Sequence, residues 1–198
     1  MTMPSAQLPL GGRQQALAGG EIRELPWCGK SILRCDPSNP TIQEQLQQTG
    51  LSLPDKANTV NRFEVGQVIW MGPDEWLLRA DSDPTDQGWL TWQTRLEEYL
   101  QQSHIALVDV SDYYTVFELT GEHASDILAR GCPLDFAAIA TKENVCAQSR
   151  IGNAPVLLLP LSSNSTDVRN FDGWSIQVRW SFADYLWHLI ERSAASFD

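Results

Sequence analysis

Chemistry in this chain would have to come from a few side chains in and around residues 108–136, VDVSDYYTVFELTGEHASDILARGCPLDF. Asp109 and Ser111, two apart at the end of a strand-like run, could place an acid and a hydroxyl beside a pocket. Cys132, between Gly131 and Pro133, could offer a thiolate nucleophile. Asp74, Glu75 and Asp135 are further carboxylates available for acid–base work. Each also has a plainer use. Asp and Ser bond nearby backbone N–H groups in turns, which suits Asp109 and Ser111. Asp74 and Glu75 sit in a Gly-Pro-Asp-Glu turn and point to solvent, and Asp135, after Pro133-Leu134, can cap or turn. Cys132 ends a short helix, where the negative end of the dipole raises a thiol pKa, so an inert cysteine is expected. The plainer uses carry more weight, and no catalytic, cofactor-binding or metal-binding residue is assigned.

The remaining motif classes are excluded more directly. The sequence holds no G-x-G-x-x-G, no G-x-x-x-x-G-K-[ST], no G-x-S-x-G and no H-E-x-x-H. The four cysteines, Cys28, Cys35, Cys132 and Cys146, form no C-x-x-C. The three histidines, His104, His123 and His188, complete no zinc pattern with them. A net charge of −11 argues against nucleic acid and against anionic membrane surfaces. No apolar run reaches spanning length, and residues 1–20 lack the apolar core of a secretory signal, so a cytoplasmic protein with structural thiols is expected. Eight tryptophans are many for 198 residues; most are expected in cores, and some could cover a partner.

The elements that must position these residues alternate hairpins with single helices. Residues 1–20, rich in Gly, Ala, Gln and Pro, predict a flexible arm. Short strands are expected over 21–27 and 30–35, joined near Cys28-Gly29. Asn39-Pro40 starts a helix that ends at Gly50. A hairpin over 61–80 turns at 72–75, and Trp89, Trp92, Leu96, Tyr99 and Leu100 mark an amphipathic helix over 88–103. In the opening stretch, 106–110 reads as a buried strand and 115–120 as a second strand. Residues 122–130 read as a helix with Ala124, Ile127 and Leu128 inward. A connection over 137–144 leads to a hairpin around Gly152-Asn153. Trp174, Ile176, Val178 and Trp180 alternate on a late strand, and Ser181 is the expected N-cap of a last helix with Phe182, Tyr185, Leu186, Leu189 and Ile190 inward. There is no βαβ rhythm. The expected class is α+β, with antiparallel or mixed sheets and helices packed on one face. Two small α+β units are expected, over 21–103 and 104–193, packed together, with 194–198 as a tail.

Four segments carry a family resemblance: residues 72–78 (GPDEWLL), 108–111 (VDVS), 121–136 (GEHASDILARGCPLDF) and 174–190 (WSIQVRWSFADYLWHLI). Together they resemble the gamma subunit of heterotetrameric sarcosine oxidase, itself related to the folate-binding domain of the glycine cleavage T protein. Trp180 interrupts the family's Arg-Ser-Phe-Ala ending. The resemblance implies an aminomethyltransferase folate-binding-domain-like fold. It also implies a partnership with alpha, beta and delta subunits in an enzyme that oxidatively demethylates sarcosine to glycine. That enzyme would release hydrogen peroxide and pass formaldehyde equivalents to tetrahydrofolate. FAD, FMN, NAD, tetrahydrofolate and zinc would be held by the other subunits and none by this chain. Folate-dependent relatives carry an Asp in the hairpin that here reads Gln-Ser-Arg-Ile-Gly-Asn-Ala-Pro-Val (148–156), and a Glu in the segment that here reads Thr-Asp-Val-Arg-Asn-Phe-Asp-Gly (166–173). Neither acid is present in its place. The expected role is a non-catalytic, structural subunit. A stand-alone folate-binding or aminomethyl-transferase-like domain is the alternative, and an unrelated α+β interaction domain the third.

Overall fold

The computed structural model describes residues 7–100, 104–162 and 171–197, with the backbone alone at Ser162, Phe171 and Asp172. The chain forms two compact units, one running from Trp27 to Ser111, the other taking the chain up to Pro26 and again from Asp112.

Strands β1 (Gln14–Leu17) and β2 (Gly20–Glu24) form an antiparallel hairpin. This corrects the expected arm over 1–20, of which residues 1–6 lie outside the described residues. The strands expected to join near Cys28-Gly29 instead enter different sheets. The chain next builds β3 (Lys30–Arg34), α1 (Pro40–Gln48), β4 (Val60–Phe63), β5 (Gly66–Gly72), β6 (Glu75–Ala80), α2 (Gln87–Leu100) and β7 (Ala106–Asp109). Asn39 caps α1 as expected, its side chain accepting from Thr41 N and Ile42 N. The five strands order β4-β5-β6-β3-β7, every pairing antiparallel. Ile42 and Leu46 of α1 and Trp89, Trp92 and Leu96 of α2 cluster with Leu33, Val68, Trp76 and Leu78 of the sheet. The tryptophan stripe of α2 is therefore core. Residues 106–110 are not a buried strand: β7 is at the sheet edge, and Val108 is exposed.

The chain then returns with β8 (Tyr114–Thr120), α3 (Ala124–Ala129), α4 (Phe136–Ala140), β9 (Ala147–Ile151), β10 (Ala154–Ser162), β11 (Phe171–Arg179) and α5 (Ala183–Ala194). The sheet order is β1-β2-β8-β11-β10-β9, again antiparallel throughout. Ala124, Ile127 and Leu128 of α3 pack with Phe117, Trp174, Ile176 and Trp187. The short helix α4 occupies part of the expected connection, capped by Asp135, whose side chain accepts from Ala138 N at 3.0 Å.

Four expectations at the end of the chain are corrected. Trp180 does not continue the inward face of β11; a 3-10 turn over Trp180–Phe182 puts it in solvent. That turn also displaces the cap: Phe182, not Ser181, precedes α5 and makes no side-chain cap bond. The inward face of α5 is Leu186, Trp187 and Ile190, while Tyr185 is exposed. Residues 195–197 are a further 3-10 turn rather than a tail, with Phe197 stacked on His123 at 4.7 Å.

Close backbone approach explains two glycines of the second sheet. A Cβ on Gly121 (φ +117°) would lie 2.4 Å from Gly20 Cα, and one on Gly173 (φ +148°) would lie 2.1 Å from Leu119 O. Both flank β8, where β2 and β11 dock on its two edges.

The N-terminal hairpin is tied down by buried and half-buried polar groups. Ile22 and Glu24 share the alternation of β2, so a carboxylate points inward after an isoleucine. Glu24 accepts from Leu10 N at 3.1 Å, Gly12 N at 2.9 Å and the Thr115 hydroxyl at 2.9 Å. Gln15 donates to Glu191 at 2.6 Å and accepts from Trp187 Nε1 at 3.3 Å. The Gln15 amide, then His188 beside it, hold the Glu191 carboxyl below the usual range. Glu24→Ala is expected to lower unfolding free energy by about 2 kcal/mol, the scale for a lost bond to a charged group. It should also speed amide exchange at Leu10 and Gly12. Urea unfolding with hydrogen-exchange mass spectrometry checks both; unchanged exchange would contradict the tie.

Candidate functional site

Each of the residues singled out as possible chemistry has a local use. Asp109 Oδ1 accepts from Ser111 N at 2.8 Å. Ser111 Oγ accepts from Lys30 N at 2.9 Å and lies 3.3 Å from Lys30 O, and Val110 N donates to the same carbonyl at 2.9 Å. The D-V-S signature is thus a clasp holding the end of β7 to the start of β3.

The clasp encloses a residue that sequence reasoning missed. Lys30 is buried, and its ammonium donates to Cys28 O at 3.1 Å. Burial pushes its pKa down from 10.5, against the opposing pull of Cys28 and Asp109. Lys30 opens β3 immediately after Cys28-Gly29, and a lone lysine there carries no sequence signal of burial.

Asp74 and Glu75 lie in the β5–β6 turn and both face Arg34, at 2.9 and 3.5 Å. Beside them is a depression of about 640 Å³ lined by Arg34, Cys35, Asp36, Asn39, Asp74 and His104. Most of its polar wall is already engaged. Arg34 meets the two turn carboxylates, Asn39 caps α1, and Asp36 accepts from Ser38 N and Oγ. Burial, with Asp36 and Asp74 nearby, pushes the Cys35 thiol up to about 11. The depression therefore offers neither a thiolate nor an uncommitted guanidinium at neutral pH.

Cys132 donates to Ser149 Oγ at 3.4 Å. Burial pushes Cys146 up to about 12. His123 sits 3.2 Å from Asp126, and His188 2.9 Å from Glu191, each pair on one helical stretch. Among the described residues no group of three or more His, Cys, Asp or Glu is placed to hold a metal ion.

The β9–β10 hairpin, where the resemblance places the Asp of folate-dependent relatives, is closed on itself. Gly152 (φ +57°) makes its turn, and a Cβ there would meet Tyr185 Oη at 2.5 Å. That hydroxyl accepts from Asn153 N at 3.1 Å, and Arg150 donates to Asn153 O at 2.7 Å. Most of segment 166–173, where the resemblance places the Glu of folate-dependent relatives, lies outside the described residues; Gly173 is placed by its contact with β8.

Two outcomes follow from these environments. The folded pKa of Lys30 lies below the unfolded value near 10.5, so between them the unfolded chain binds more protons and stability rises with pH. Lys30→Met should flatten that rise and stabilise the fold at pH 7 by on the order of 1 kcal/mol, measured by urea unfolding across pH; a loss of stability would contradict it. Iodoacetamide at pH 8 should label half-buried Cys28 first, with Cys35 and Cys146 protected until unfolding. Early labelling of either buried thiol, read by peptide mass spectrometry, would overturn this assignment.

Among described residues, no helix is long and apolar enough to cross a membrane. Comparison with known proteins agrees with the fold. The structure superposes on a chain of heterotetrameric sarcosine oxidase from Corynebacterium sp. U-96, in complex with pyrrole 2-carboxylate, with TM-score 0.75 and 26% identity, covering 92% of this chain and 87% of that one. It also superposes on glycine cleavage system aminomethyltransferase T from Bartonella henselae with TM-score 0.58 at 13% identity, covering 93% of this chain and 56% of that one, a likeness of fold alone. In sequence it is 27% identical to sarcosine oxidase subunit gamma of Corynebacterium sp. (strain U-96), over 98% of this chain and 90% of the relative. The strain P-1 protein of the same name is 26% identical, with the same coverage. The sequence model of the sarcosine oxidase gamma subunit family matches residues 34–196, and the chain belongs to that family.

Proposed function

We propose that this chain is the non-catalytic gamma subunit of a heterotetrameric sarcosine oxidase, acting in assembly with alpha, beta and delta subunits. The complex would oxidise sarcosine to glycine with release of hydrogen peroxide and pass formaldehyde equivalents to tetrahydrofolate. FAD, FMN, NAD, tetrahydrofolate and zinc would be bound by the other subunits.

The observation that carries the non-catalytic reading is the state of the β9–β10 hairpin. In a folate-dependent relative this hairpin supplies a carboxylate. Here its tip is filled by Tyr185 and Arg150, which bond its backbone at Asn153. A buried pterin needs acceptors for its amino groups, and this hairpin turns its bonding inward. The fold of a folate-binding relative is retained while the group that would work on folate is replaced by structure.

Two measurements test the reading. The purified chain titrated with tetrahydrofolate by calorimetry should give no saturable heat; micromolar binding would favour the stand-alone folate domain instead. Co-expression of the other subunits with and without this chain should show sarcosine-dependent peroxide formation falling at least tenfold in its absence, through loss of the assembled complex. Full activity without it would contradict an assembly role.

A further inference from the structure

The most exposed large hydrophobic side chain among the described residues is Trp180, at 58%. It stands on a firm support. Trp180 N donates to Tyr113 O at 3.1 Å, bracing the turn after β11 against the segment before β8. Tyr113, also exposed, takes the Arg179 guanidinium over its ring at 5.2 Å and packs edge-on against Tyr114 at 4.8 Å. Arg179 itself lies opposite Tyr114 in the β8–β11 ladder. The backbone thus brings the residues bearing an indole, a phenol ring and a guanidinium to the end of one paired strand. These three side-chain types dominate the energetics of protein interfaces, and a pre-ordered backbone keeps the entropy cost of docking them low.

Charge selects the occupant. The chain carries 25 acidic against 14 basic residues. Asp112 precedes Tyr113, and exposed Asp184, which lies 3.5 Å from His188, is on the first turn of α5, four residues beyond Trp180. A second copy would bring like charge to like, and an anionic membrane would be repelled. We infer that the Trp180–Tyr113–Arg179 surface is the anchor by which this chain docks on another subunit of the oxidase, at an apolar slot rimmed by Lys or Arg. The inference rests on the assembly role and specifies which face carries it.

The test is co-expression with the other oxidase subunits, followed by affinity capture on one of them and titration of the captured complex. Trp180→Ala removes an exposed side chain, so its melting temperature should match the wild type while its association weakens at least tenfold. Trp180→Lys should weaken association more than Trp180→Glu, because it opposes a basic rim. Wild-type affinity in the alanine variant overturns the anchor while leaving the assembly role intact. Equal or reversed order of the two charged variants overturns the basic rim. A wild-type chain that fails to associate at all removes the assembly role and the anchor with it. Sedimentation of the isolated wild-type chain should show a monomer; a dimer that Trp180→Ala dissociates would assign the surface to self-association and overturn the proposal.

Discussion

Strand β8 is the constraint on which the second unit depends, because it is paired on both edges by segments distant in sequence. β2 brings the start of the chain to one edge, and β11 brings the end of the chain to the other. The contacts are close enough that Gly121 and Gly173 leave no room for a Cβ. Loop-closure entropy opposes such non-local pairing. The offsetting terms are visible: Phe117 and Leu119 of β8 are buried against Trp174, Ile176 and Trp187, and Thr115 joins the bonds converging on Glu24. The Thr-Gly step after β8 belongs to this pairing.

The same economy runs through the chemistry-bearing residues, each of which has a structural use. Asp109 and Ser111 close a strand end, Asp135 caps a helix, Asp74 and Glu75 meet Arg34, and Cys132 donates to a serine. Each polar group is satisfied within a few residues, across one ladder or, for Cys132, at Ser149 of β9, as buried and turn-forming polar groups require. A catalytic constellation would need some of them turned toward a shared space with shifted acidity. The large upward shifts fall on Cys35 and Cys146, where burial favours the inert thiol.

Much of this was legible in the sequence, and the remainder fails for physical reasons. The β5–β6 and β9–β10 hairpins, α1 with its Asn39 cap, and the inward residues of α3 follow from turn chemistry and periodicity, which are local signals. The first strand of the N-terminal hairpin was missed because composition reports flexibility, whereas β1 is held by partners as remote as Trp187 and Glu191. Trp180 was misplaced because strict alternation cannot register a 3-10 turn begun one residue early. Val108 was expected inside because a β-branched run says nothing of whether its strand is central or at an edge. At the candidate site, the turn and cap roles of the acids were readable. The buried Lys30 was not, since a lone lysine at the start of a strand carries no local signal of its burial.

The central claim is that this chain works as one member of an assembly of unlike subunits. Native mass spectrometry of the complex purified through a tag on this chain, after co-expression with its prospective partners, tests it most directly. The predicted result is a single species holding one copy of this chain with three different subunits. A tagged chain recovered alone or only with copies of itself would contradict the account.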